Sequence, residues 1–338
     1  MDFISQMLLM RAGSIQSDSY LAIAHEYSPF ISIYMRSGGT LTKVPDPNSL
    51  PTEDAKSVAF SPDGTHLVVG HYTSPFVTIY KRSGSTFTKL TSPLNVLPVG
   101  TVARDVTFSP DGTYLVVFHD ATPFISIYKR NGDNYAKLGD PAVLPADGSS
   151  GASAFSPDGT YLVVVHAGSP FIRIYERDGD TFTALPNPSV LPQGAGVNSV
   201  NFSPNGSYLA VGGQGGPTIY KHTSGVLTAL SDADIVNNPH IMGTKFSPDS
   251  TYLAVASSSD PQLVIYRRNG DDFIRLTDPP NQPTLAYAVD FSSDGAYLAV
   301  ANSNFFTLYE RSGDTFTKMA DPNIFFADLF GYGVAFYG

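Results

Sequence analysis

Four histidines hold one place in a repeated pattern. His25, His71, His119 and His166 each close a short apolar run, SYLAIAH, HLVVGH, YLVVFH and YLVVVH, and Gly213, Ser257 and Asn302 take that place in three later copies. Histidine at a fixed register is the residue type for metal ligation or acid–base work. Distance argues against a shared centre. If each run is the second strand of its own sheet, it stands one ~4.8 Å step out from the innermost strand, which puts equivalent residues of neighbouring sheets on the order of 10 Å apart. Zinc needs ligand nitrogens at about 2 Å. The expected role is local, each imidazole bridging loop backbone or the next strand of its own sheet.

Acidic residues recur in the same way. Asp133, Asp180, Asp271 and Asp314 follow glycine in RNGD, RDGD or RSGD, a hairpin signal, and Asp63, Asp111 and Asp158 lie in S-P-D-G turns. Three polar residues break the repeat on predicted innermost strands: Asp105, Lys245 and Asp290. No G-x-S-x-G, Walker loop or H-E-x-x-H is present.

The elements that carry these residues are set by the repeat. Phe-Ser followed by a turn begins at Phe60, Phe108, Phe155, Phe202, Phe246 and Phe291, at intervals of 48, 47, 47, 44 and 45 residues. After each turn come a short apolar run, a run ending in tyrosine such as PFVTIYKR, a Gly-containing turn and a fourth run such as FTKL. Four short strands per unit without a helical period predict one antiparallel sheet per repeat, and a period in the forties predicts propeller blades.

The tyrosine occurs seven times, at Tyr34, Tyr80, Tyr128, Tyr175, Tyr220, Tyr266 and Tyr309, whereas Phe-Ser occurs six times. The missing first strand has a donor in GYGVAFYG, where Val334 and Phe336 repeat the apolar pair Val58 and Phe60. The fold class expected is all-β: a seven-bladed β-propeller of four-stranded antiparallel blades, closed by pairing the C-terminal strand with N-terminal strands. Residues 1–13 read as an N-terminal arm and 14–338 as one propeller domain, its first blade split between residues 19–44 and 332–338. Residues Met10 to Ser14 are a rival for the closing slot, with a poorer apolar match.

Strand, S-P-D-G turn, strand, and a strand ending in Ile-Tyr plus a polar residue resemble the WD-repeat propeller pattern over essentially the whole chain. The resemblance implies the fold and says little of function. Tyrosine with Lys, Glu, Met or Arg stands where that family ends a strand in Trp-Asp, and the Gly-His signature is absent, so its hydrogen-bonded tetrad does not carry over. The wording S-P-F-I-x-I-Y-K-R-x-G-D-T-F-T-K-L is also similar to propeller repeats of tailed-bacteriophage virion proteins, which implies a virion component.

Connections between blades mostly read D-P-x-x-L-P, but the last reads DPNIFFADLFGYG, and Phe305 with Phe306 replaces the S-P-F loop of the same blade. Phe305, Phe306, Phe325, Phe326, Leu329, Phe330 and Tyr332 are therefore candidate partner-binding residues, the alternative being that they pack under the N-terminal arm.

Composition narrows the partners. The formal charge is −10 with 15% charged residues and no basic run, which argues against nucleic acid. Neither a signal peptide nor a membrane span is read in MDFISQMLLMRAG, and no cofactor is expected. Cysteine is absent, which excludes disulfides and thiolate chemistry. The function expected is a non-catalytic interaction or assembly propeller, not an enzyme: a structural component of a phage particle, a tail or capsid accessory protein located in the virion, with other proteins of the assembly as partners. The alternative is a ligand-binding propeller, either a glycan-binding adhesin or a small-molecule hydrolase with an axial site.

Overall fold

The computed structural model describes residues 19–194, 196–231, 240–320 and 330–338. Every regular element among them is a strand, and the strands form seven four-stranded antiparallel sheets. The second blade shows why. Its strands are Ala55–Phe60, His66–His71, Val77–Ser83 and Thr86–Lys89, and all six residues of HLVVGH are buried, as a strand covered on both faces requires. Between the first two strands Gly64 N donates to Ser61 O at 2.7 Å, Thr65 N donates to Asp63 Oδ1 at 3.0 Å, and Gly64 adopts φ +63°. That is the turn chemistry expected of S-P-D-G. No helix among the described residues is long and apolar enough to cross a membrane.

The first blade is completed by the far end of the chain. Gly331–Tyr337 pairs antiparallel with Ser19–His25, with Leu21 opposite Phe336 and Ile23 opposite Val334. The C-terminal segment thus fills the slot, one residue earlier than the expected start at 332. The rival segment and the arm lie outside the described residues. The closing strand serves both neighbours: Val334 and Phe336 pack against Tyr297, Phe305 and Phe306 of the seventh blade, while the Tyr337 ring lies 5.6 Å from Phe60 of the second.

Between blades the core is built from stacked apolar faces, with the seven strand-ending tyrosines fully buried. Most of their hydroxyls reach the connecting segments, Tyr128 Oη donating to Val96 O at 2.9 Å and Tyr175 Oη to Val143 O at 2.8 Å, whereas Tyr34 Oη has no hydrogen-bond partner among the described residues. Replacing Tyr175 with Phe leaves that bond unmade. The expected loss is about 1 kcal/mol, measured by urea unfolding.

Charges at the rim join neighbouring blades at four of the seven seams. Lys81 pairs with Asp133 at 2.7 Å, Lys129 with Asp180 at 2.8 Å, Lys221 with Asp271 at 2.7 Å and Arg267 with Asp314 at 2.9 Å, each cation on a third strand and each carboxylate on the following blade's hairpin. The remaining third strands carry Met35, Glu176 and Glu310 at that register, and the hairpins after them carry Ser85, Gly225 and Gly39. A cation thus occurs where the next hairpin offers an aspartate. The hairpin aspartates, read from sequence as turn residues, are inter-blade partners as well.

Candidate functional site

The first strands of all seven blades line an axial cavity of about 550 Å³. Side chains near its lower part mostly stitch one first strand to the next. Asp105 accepts from Ser153 N at 2.8 Å, Ser153 Oγ at 3.0 Å and Ser57 Oγ at 3.2 Å. Desolvation nevertheless pushes its carboxyl above the ordinary range. Asn201 accepts from Phe246 N at 2.9 Å, and Asp290 accepts from Phe336 N at 2.6 Å. Lys245 and Asp290 meet at 2.9 Å, so the structure brings these two sequence-marked residues together, while Asp105 lies on the strand between those of Ser57 and Ser153 and accepts from both of those serines.

The mouth is different. Four residues before each repeated phenylalanine the chain places Lys56, Arg104, Gly151, Asn198, Met242, Tyr287 and Tyr332, and all seven line the cavity. In the first, second, third, sixth and seventh blades the ladder shifts register at this point, a bulge that turns one extra residue off the sheet. Arg104 has its Nε buried with no hydrogen-bond partner among the described residues. Lys56 Nζ sits 3.4 Å from the centroid of the Tyr332 ring and 5.0 Å from that of Tyr72. Loss of water holds its ammonium below the usual lysine range, with the Arg104 charge adding to the effect and Asp54 and Glu26 opposing it. Burial pushes the Asp54 carboxyl up. Tyr332 Oη donates to Glu26 Oε2 at 2.7 Å, and its ring packs 5.3 Å from Tyr287 and stacks 6.4 Å from Phe330. The mouth thus joins two cations, two carboxylates and an aromatic wall, a set able to hold an anion, polarise a carbonyl and accept a proton.

The histidines are local. His25, His71 and His119 place Nε2 at 3.2, 3.0 and 3.0 Å from the hydroxyls of Ser32, Thr78 and Ser126 on the adjacent strand of the same blade. His71 Nδ1 donates to Tyr72 O at 2.7 Å, which leaves Nε2 to accept from Thr78. In the fourth blade Arg173 replaces the hydroxyl residue, and His166 keeps neither bond. No cluster of metal ligands occurs among the described residues.

Of the residues expected to bind a partner, Phe305 and Phe306 are 2% and 3% exposed. They fill the seam between the seventh and first blades, against His25 at 5.5 Å and Tyr34 at 5.5 Å, and are internal packing. Phe305 adopts φ +85° and so takes over the loop position of Phe30, Phe76, Phe124 and Phe171, which share positive φ in the first four blades. Phe330 and Tyr332 stand at the mouth, and Phe325, Phe326 and Leu329 lie outside the described residues. Lys56, Arg104, Asn198, Tyr287 and Glu26 were missed by sequence reasoning. The signal was there, since this register changes residue type from blade to blade while the strand around it stays regular.

The WD domain, G-beta repeat family profile matches residues 189–216. No curated protein matches the sequence. Solved structures with the same fold include a candidate 6-phosphogluconolactonase of Bacteroides fragilis, 15% identical, with 96% of this chain and 99% of that chain covered at a TM-score of 0.76. Another, from Bacteroides uniformis, is 16% identical, with 95% and 100% covered at a TM-score of 0.77. The periplasmic gluconolactonase of Pseudomonas aeruginosa is 16% identical, with 95% and 99% covered at a TM-score of 0.71. These neighbours overturn the expectation of a non-catalytic, non-enzymatic assembly part of a phage virion, because chains alike over their whole length are described as lactonases. At such identities they speak for the fold alone, and any chemistry has to be argued from the residues at the mouth. The chain is a WD-repeat-like, seven-bladed β-propeller.

Proposed function

We propose that the chain is a hydrolase-type propeller that opens lactones of sugar acids at the mouth of its axial cavity. The observation that carries the reading is the pairing of a buried, unpartnered guanidinium nitrogen on Arg104 with the desolvated Lys56 ammonium, beside the carboxylates of Glu26 and Asp54. The likeness to propellers described as lactonases over nearly the whole chain supports it. In the reaction a water oxygen adds to the ring carbonyl carbon, the ring C–O bond breaks, and a hydroxy acid leaves with release of one proton. Asp54, its proton affinity raised by burial, takes the proton from the attacking water. Lys56 and Arg104 face the oxyanion or an anionic substituent of the substrate, where low dielectric strengthens both.

The test is proton release by the purified chain from glucono-1,5-lactone and its 6-phosphate, against spontaneous hydrolysis. Arg104→Ala and Lys56→Met are each expected to lower kcat/KM about a hundredfold. A wild-type rate no faster than the spontaneous one removes the reading.

A further inference from the structure

Tyr332 carries two opposite charges on one ring. Its hydroxyl holds Glu26 Oε2 at 2.7 Å while its face holds Lys56 Nζ at 3.4 Å from the centroid. Glu26 and Asp54 both lie close enough to act on the Lys56 charge, yet no ion pair among the described residues includes Lys56 or Glu26. A half-buried ammonium next to a carboxylate gains most by pairing with it. Here the carboxylate is drawn to the edge of the ring by a charge-assisted hydrogen bond and the ammonium is drawn to its face by the π-electrons. Tyr287 at 5.3 Å and Phe330 at 6.4 Å fix the ring itself.

We infer that Tyr332 is a positioning residue that keeps the Glu26 carboxylate and the Lys56 ammonium apart, so that an anionic ligand entering the mouth meets a free cation. The inference rests on the mouth being the binding site proposed above. It also gives the closing strand a task beyond architecture, since Tyr332 reaches the mouth only when Gly331–Tyr337 is in place. The charged and titratable groups that act on Lys56 and Tyr332 are Glu26, Asp54, Arg104 and Tyr287, with Glu53 acting on Asp54 and the Tyr72 ring beneath Lys56.

Tyr332→Phe keeps the ring and removes the hydroxyl. Glu26, released, is expected to swing to Lys56 and raise the pH at which the Lys56 side chain titrates by about one unit, read by NMR of the isotope-labelled lysine. Affinity for inorganic phosphate, measured by calorimetry, is expected to fall about tenfold as the cation is neutralised. Glu26→Gln added to Tyr332→Phe is expected to abolish the rise, leaving the Lys56 titration at or below its original value because the Glu26 charge already raises it in the intact chain, and to restore the phosphate affinity. A Lys56 titration that does not move in Tyr332→Phe, or a shift that persists in the double variant, overturns the inference. The Lys56 titration needs no turnover, so a chain that hydrolyses no lactone sinks the hydrolase reading alone.

Discussion

Deleting residues 331–338 is expected to leave a chain that melts far below the intact protein and without a sharp transition. The deletion strips the ladder from Ser19–His25, whose seven residues are all buried, and uncovers Leu21 and Ile23 on one side and the apolar seam with the second blade on the other. Exposing buried aliphatic side chains costs about 1.5–3 kcal/mol each. Several lost together rival the total stability of an ordinary domain, roughly 5–15 kcal/mol. A ring also depends on closure in a way an open sheet does not, because two blades lose a packed face at once. Thermal melting checks the result, and hydrogen exchange of the 19–25 amides localises it. Adding the peptide GYGVAFYG should raise the melting temperature of the truncated chain in a concentration-dependent way, as binding linkage requires. Coincident melts of the intact and truncated chains would refute the closure argument.

The second large effect is acid sensitivity above the carboxylate range. Burial lowers His25, His119 and His166 to about 4, against about 6.5 for histidine in an unfolded chain. Above pH 6.5 both states hold these rings neutral. Between 6.5 and 4 the unfolded chain takes up protons that the folded chain refuses, so stability falls as pH falls, by about 1.4 kcal/mol per pH unit for each ring and about 4 for the three together. Below 4 this loss levels off. The turn carboxylates act elsewhere: Ser109, Thr113 and Arg177 overcome desolvation and hold Asp111 down at about 2, so its contribution persists until pH drops below the ordinary carboxylate value and is lost toward 2. Urea unfolding at pH 7, 6 and 5 measures the slope. His119→Asn should lower stability at pH 7 and flatten the dependence by roughly a third of the three-ring slope. A free energy that stays level from pH 7 to 5 means these rings are not desolvated as described.

The blade count, the turns and the split first blade were legible because they depend on local chemistry repeated many times. Leu21, Leu67 and Leu115 fall in the same register of successive blades, and each is fully buried. The mouth was not legible in the same way. Lys56, Arg104, Asn198 and Tyr332 share one register, four residues before the repeated phenylalanine, but they differ in residue type from blade to blade, so no motif marks them, and only the ring brings them together. Polar interruptions alone pointed elsewhere: Asp105 and Asp290 were marked, but their oxygens are occupied by donors of neighbouring first strands, Ser57 and Ser153 on Asp105 and Lys245 and Phe336 on Asp290. Phe305 and Phe306 misled for a related reason. Large apolar residues at a loop suggest a surface, but here the shortened turn carries them back into the seam with Tyr34.

The rim pairs give the ring a grammar of succession. Four third strands extend a cation forward to an aspartate on the hairpin of the blade that follows, as Lys81 does to Asp133, and where a third strand carries glutamate the next hairpin carries glycine, as with Glu176 and Gly225. Exposed pairs of this kind add little free energy, about 0–1 kcal/mol, but a mismatch sets like charges together at a seam. A copy of the third blade inserted after the fourth would bring Asp133 to Glu176, whereas the same copy inserted after the second would again meet Lys81. Duplication of a blade is thus tolerated at some seams and opposed at others, and the order of the repeats is recorded on the outside of the molecule.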